Sequence, residues 1–187
     1  MKPGVRALGV AESFDRDAAR STLAGTVLRA DGRFDGLAFS TCTVGGTDCT
    51  AAMVDLWERL DREDVQFVLV AGVALAWYNI LDPDALAERV DRPVIAVTFE
   101  DSEGLEAALA AEFEGSALEE RLERYEWLPE RHRMDHDGHD IYYRAVGVDR
   151  EEAESTLAAF AGEGGRPEPL RAARLAARAG DSIRRRE

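Results

Sequence analysis

The chain has 187 residues, 45% of them hydrophobic, enough to bury the core of one domain and too many for a disordered acidic tail. Asp and Glu number 37 against 23 basic residues, a formal charge of −14 that argues against a strongly basic nucleic-acid binder. No apolar run approaches about 18 residues, and MKPGVRALGV is too short and polar for a signal peptide, so membrane spanning and secretion are excluded. Two cysteines, Cys42 and Cys49, suit a reducing cytoplasm and cannot build a disulfide scaffold or a zinc quartet.

Val5–Val10 reads as a short buried strand ended by Glu12-Ser13-Phe14-Asp15. Thr22–Ala30 and Phe34–Val44 read as two further strands, joined through the hairpin signal Asp31-Gly32. Gly45-Gly46-Thr47 breaks the pattern and opens a helix with Cys49, Met53, Leu56 and Leu60 at helical spacing. Gln66–Val70 is an uninterrupted apolar run of the kind found in a strand covered on both faces. An irregular Trp77-Tyr78-Asn79 segment follows, then a helix opened by Asp82-Pro83.

Pro93–Phe99 is the next buried strand. Ser116-Ala117-Leu118-Glu119 is a capping box ahead of a helix with Leu118, Leu122 and Tyr125 on one face. His132, His136 and His139 fall in a segment expected to be a solvated loop, since no further ligands complete a zinc spacing. Ile141–Val146 reads as a late strand. Asp149–Glu152 is a second capping box, leading a stripe of Ala153, Leu157 and Phe160. After a turn at Gly162–Gly165, a C-terminal helix is expected over 167–180, followed by a short disordered basic tail. A three-strand meander followed by alternating helix and strand predicts one α/β domain, a mixed sheet flanked by helices.

Charge is unevenly spread. From Arg166 onward there are seven arginines and three acids, leaving −18 on residues 1–165. Arg171, Arg174 and Arg178 recur at helical spacing, a stripe open to phosphates or to plain solvation. Lys2 is the single lysine beside 22 arginines. Excess carboxylate with almost no lysine suits a halophilic cytoplasm, where salt screens repulsion within a few ångströms; arginine codons in a GC-rich genome give the same composition.

Five segments in order resemble the endonuclease dU family, an archaeal group related to endonuclease V, and in its halophilic branch: Leu8-Gly9-Val10-Ala11-Glu12, Val44-Gly45-Gly46-Thr47-Asp48-Cys49-Thr50, Val70-Ala71-Gly72-Val73-Ala74, Tyr78-Asn79 and Pro167-Glu168-Pro169-Leu170-Arg171. The resemblance implies an RNase H-like fold over residues 1–187 and a metal-dependent DNA-repair endonuclease acting at deoxyuridine or other deaminated bases. It implies Mg²⁺ or Mn²⁺ as cofactor, because phosphodiester hydrolysis needs an ionised water and a neutralised developing charge. Glu12 and Asp48 then read as catalytic and metal-ligating, with Glu100 as a further ligand. Tyr78, Asn79 and Gly72 read as substrate-binding. Two carboxylates of the family pattern are replaced here by Ala11 and Ala71. The alternative is a non-catalytic member of the same fold that binds damaged DNA or a protein partner.

Overall fold

The computed structural model describes residues 2–185, with the backbone alone at Glu163. β1 (Arg6–Ser13), β2 (Arg20–Arg29) and β3 (Phe34–Thr43) form the expected antiparallel meander. β1 runs past Val10, because Ala11, Glu12 and Ser13 stay in register with Ala24, Leu23 and Thr22. Glu12 therefore sits on a strand and not in a loop. α1 (Cys49–Leu60) buries Cys49, Met53 and Leu56 as its spacing requires, and leads to β4 (Phe67–Val70).

The segment after β4 is a two-stranded hairpin, β5 (Ala74–Leu75) with β6 (Asn79–Ile80). α2 (Pro83–Val90) begins where Asp82 accepts from the Ala85 N–H at 2.9 Å, and β7 (Val94–Thr98) follows. α3 (Glu106–Glu112) was not legible in the sequence. α4 (Gly115–Glu126) starts ahead of Ser116, so the capping box is unused; Glu114 holds the N-cap without a side-chain bond. Buried Arg121 positions this helix instead, and Leu118, Leu122 and Tyr125 are only half-buried.

The histidine segment is a hairpin, not a loop. β8 (His132–His136) pairs with β9 (His139–Val146) across Asp137-Gly138, both at positive φ, as a two-residue Asp-Gly turn requires. α5 (Arg150–Phe160) opens with Asp149 accepting from the Glu152 N–H at 2.9 Å. α6 spans Glu168–Arg184, so the expected tail is helical beyond residue 180, and residues 186–187 lie outside the described residues. The reason is Asp181, fully buried and ion-paired to Arg184 and Arg185. Burial works to raise its pKa, but hydrogen bonds from the two arginines outweigh that and hold it low.

The main sheet has seven strands in the order β3-β2-β1-β4-β7-β9-β8. β1, β4 and β7 are parallel neighbours at its centre, and β9 returns antiparallel to β7. Alternate residues of β4 feed opposite cores. Val68 and Val70 pack with Met53, Leu56 and Leu86 of α1 and α2. Phe67 and Leu69 pack with Leu157, Phe160 and Leu170 of α5 and α6. The layers follow the meander-then-alternation order of the sequence.

α6 lies unusually close to β1. A Cβ built at Gly9 would stand 2.3 Å from the Pro169 carbonyl, and the Thr26 hydroxyl donates to that same oxygen at 2.8 Å. Only glycine permits this approach. Gly9→Ala is expected to lift the start of α6 and lower stability by about 1–3 kcal/mol in urea unfolding.

Candidate nucleic-acid interface

Three parallel strands end on one edge of the sheet, where open α/β sheets commonly hold ligands. There β4 runs into Ala71-Gly72 and β7 into Phe99-Glu100. A groove of about 670 Å³ opens between these ends and α6. Its floor is small and apolar, with Ala71, Gly72, Val73, Ala74 and Ala96. Its walls carry Arg131, Arg144, Arg166, Arg171, Arg174 and Arg178 against one acid, Glu100.

These arginines are not equivalent. Arg131 donates to the carbonyls of Glu100 and Ser102 and stacks over Tyr142. Arg144 bonds the Pro129 carbonyl, and Arg171 pairs with Glu168. Arg166 lies over the Phe99 ring, 4.3 Å from its centroid. Among the described residues the guanidinium groups of Arg166, Arg174 and Arg178 make no hydrogen bond or ion pair, and all three residues are exposed.

Glu12, half-buried near the end of β1, is not among the residues that line this groove, but it lies near enough to Arg174 to feel its charge. Burial pushes its carboxyl above the ordinary glutamate range, while the nearby Arg174 charge and the Ala76 N–H pull it back. That N–H belongs to a turn of three consecutive left-handed residues, Ala76, Trp77 and Tyr78, at φ of 41°, 64° and 56°. The turn is pinned from both sides. Gly45 donates to the Ala76 carbonyl at 2.7 Å, and buried Arg121 reaches the carbonyls of Tyr78, Gly45 and Gly46. Trp77 lies under the Arg16 guanidinium, and the Tyr78 ring packs edge-on to Trp77 and Phe113.

Asn79, wholly buried, closes the turn. Its Oδ1 accepts from the Cys49 N–H at the start of α1, and its Nδ2 donates to the Thr43 carbonyl and to Asp48 Oδ1. Asp48 turns back from α1 to accept from the Thr43 N–H and hydroxyl. Burial works to raise the Asp48 pKa; these hydrogen bonds outweigh it and leave the carboxyl below its usual range.

The endonuclease dU family model matches residues 3–180. The chain belongs to the endonuclease dU family. A UPF0215 protein of Pyrobaculum calidifontis is 38% identical over 91% of this chain and 93% of its own, and one of Pyrobaculum aerophilum is 36% identical over 91% of each. Among solved structures, a protein of unknown function from Archaeoglobus fulgidus superposes with a TM-score of 0.82 at 26% identity, covering 94% of this chain and 97% of its own. Endonuclease V of Bacillus subtilis superposes at 0.63 with 13% identity, covering 99% of this chain and 83% of its own. The fold is the RNase H-like α/β fold of endonuclease V. No helix among the described residues is long and apolar enough to cross a membrane.

Against the endonuclease dU pattern, the donor set is thin. Ala11 is buried in the sheet, and Ala71 offers only a methyl to the groove. The Asp48 oxygens are taken by Thr43 and Asn79, with Arg20 a further 3.5 Å away. Glu100 is exposed at the groove's rim. Among the described residues no three His, Cys, Asp or Glu side chains gather into a group able to hold a metal ion. The residues present therefore do not fit the carboxylate-held Mg²⁺ or Mn²⁺ that the resemblance implies.

Of the expected substrate residues, Gly72 lines the groove, whereas Tyr78 and Asn79 do not. Every polar atom of the Asn79 amide is spent on the protein. Sequence reasoning missed the structural use of Arg121 and the placement of Arg166. The sequence signals for the groove were the Ala71-Gly72-Val73-Ala74 motif and the spacing of Arg171, Arg174 and Arg178.

Two measurements check this assignment. Asn79→Ala leaves Asp48, the Thr43 carbonyl and the Cys49 N–H short of a partner, and should cost about 1–3 kcal/mol in urea unfolding. Glu12 has a raised folded pKa, so its contribution to stability is present below the ordinary glutamate pKa and lost as pH rises through the folded value. Glu12→Gln should therefore be more stable than the parent at pH 7, and the gap should close below about pH 4, near and under the ordinary glutamate pKa. A variant less stable at pH 7 would refute the assignment.

Proposed function

We propose that this protein acts in DNA repair by holding a DNA strand that carries a deaminated base, deoxyuridine first among them. The strand would lie in the arginine groove at the ends of β4 and β7. The observation that carries this reading is that groove: three open guanidinium groups over a small apolar floor, on an otherwise acidic protein. Phosphates fix register on such arginines while an unstacked base meets apolar surface and backbone. Gly72 offers the backbone here, with φ of 99° and only the Thr98 methyl within reach of a Cβ, at 3.8 Å. Membership of the endonuclease dU family supports the reading. So does an endonuclease V of Ciona intestinalis with the same fold, TM-score 0.62 at 12% identity, solved with DNA containing an inosine.

A second reading, incision of that strand, is favoured by Glu12. It is a half-buried carboxyl near Arg174 that burial holds above the ordinary glutamate range, the kind of shift that general acid and base groups show.

Both readings are checked with a single-stranded oligonucleotide bearing one uracil, beside its thymine counterpart, in concentrated KCl. Tighter binding of the uracil strand supports deaminated-base recognition; equal affinity for the two overturns it. Incision on adding Mg²⁺ or Mn²⁺, lost in Glu12→Gln, supports the second reading. Binding without incision under all of these conditions leaves the protein a reader of the lesion and not its nuclease.

A further inference from the structure

The mismatch between the family's metal chemistry and this donor set has a physical counterpart across the groove. Where a divalent ion would neutralise strand phosphate, the structure supplies fixed positive charge. Arg174 and Arg178 stand one helical turn apart on α6, about 6 Å along its axis. Arg166 joins them from the loop before α6, its guanidinium oriented by the Phe99 ring. Arg174 also lies near enough to half-buried Glu12 for the two charges to interact. The groove's lining thus sets three guanidinium groups that make no hydrogen bond or ion pair among the described residues against one exposed acid, Glu100, the reverse of a carboxylate cluster waiting for a cation.

We infer that Arg166, Arg174 and Arg178 bind the phosphodiester backbone of a single nucleic-acid strand directly, with no divalent cation. The inference rests on the nucleic-acid reading above but not on base preference. Guanidinium groups are well matched to phosphate, because the planar fork donates two parallel hydrogen bonds and keeps its charge at any working pH. Arg174 plays a second part, because a phosphate arriving at its guanidinium competes with Glu12. The carboxylate is thus a brake on binding and not an anchor for a cation.

The inference is tested by fluorescence anisotropy of a labelled single-stranded 12-mer, with thymine or uracil at the centre, titrated with the full chain in EDTA and again in MgCl₂ across a range of KCl. Affinity in EDTA should stay within about twofold of that in Mg²⁺. Arg166→Gln, Arg174→Gln and Arg178→Gln should each weaken binding, and each should flatten the dependence of log affinity on log salt by about 0.7, one strand phosphate's worth. Arg33→Gln, on the far β2–β3 turn, should leave both unchanged. Glu12→Gln should tighten binding equally in EDTA and in Mg²⁺.

A tenfold or greater loss of affinity in EDTA would overturn the inference. So would arginine variants that leave affinity and salt slope unaltered, or Glu12→Gln weakening binding only when Mg²⁺ is present. Equal binding of uracil and thymine strands would refute lesion recognition while leaving this inference standing. Absence of binding to either strand would refute both. Circular dichroism of each variant separates lost contacts from lost fold.

Discussion

Buried Asn79 is the point on which the site's geometry depends. Its amide joins the end of β3, the first N–H of α1 and the Asp48 carboxylate, and reinforces the link that Asp48 itself makes to Thr43. The turn that delivers Asn79 runs through three left-handed non-glycine residues. Each such residue costs roughly 1–2 kcal/mol, so the turn persists only because its surroundings determine it. Arg121 does much of this, desolvated in the interior with its donors spent on backbone carbonyls at Gly45, Gly46, Tyr78 and Ala117. Burial draws its pKa down, though an arginine stays charged through any ordinary pH. One product of this arrangement is that the Ala76 N–H is aimed at Glu12 and fixes that half-buried carboxylate.

Arginine is used in this protein in three distinct physical roles. Arg121 is a buried hydrogen-bonding hub. Arg6 and Arg62 close a network with Asp35 and Asp64, where their hydrogen bonds pull both carboxyls below the ordinary range. Arg16, Arg131 and Arg166 lie flat over aromatic rings. Lysine would fit none of these places, since each uses the planar fork or the delocalised face of the guanidinium. The near absence of lysine therefore has a structural side in addition to any compositional one. Arg174 and Arg178 on α6 take no such role, which is why their availability is informative.

The sheet was legible because its strands are long and apolar in runs that only a covered sheet tolerates, and the capping aspartates Asp82 and Asp149 gave two helix starts to the residue. The failures share a cause. Ser116 has the residues of a capping box, yet α4 is placed by Arg121, and no local pattern announces that a charged residue will be the buried one. His132–His139 reads as polar and therefore as loop, but Asp137-Gly138 is a hairpin turn and β8 is an edge strand, free to carry charge on its outer face. The left-handed turn is invisible in Ala76-Trp77-Tyr78, because nothing in those side chains favours positive φ. In the site, the family motifs led to Glu12 and Asp48 together; the structure divides them, tying Asp48 to Thr43 and Asn79 and leaving Glu12 near Arg174. Tertiary partners decide which carboxylate remains open, and a motif does not name them.

A formal charge of −14 and a phosphate-binding groove are compatible because the two act over different distances. At high ionic strength the Debye length falls to roughly 3 Å, so the −18 carried by residues 1–165 repels a strand only at near contact. The same screening weakens the arginine contribution, since counterion release yields less as salt rises. What salt does not erode is burial of apolar surface and stacking on a guanidinium or an aromatic ring. The Ala71-to-Ala74 floor and the Phe99 ring beneath Arg166 are contacts of that kind. On the reading proposed here, a protein working in concentrated salt would draw its affinity chiefly from the floor of the groove, and the arginines would set where along the strand it stops. In such a medium, Ala71 contributes contact area that a charged side chain would keep wet.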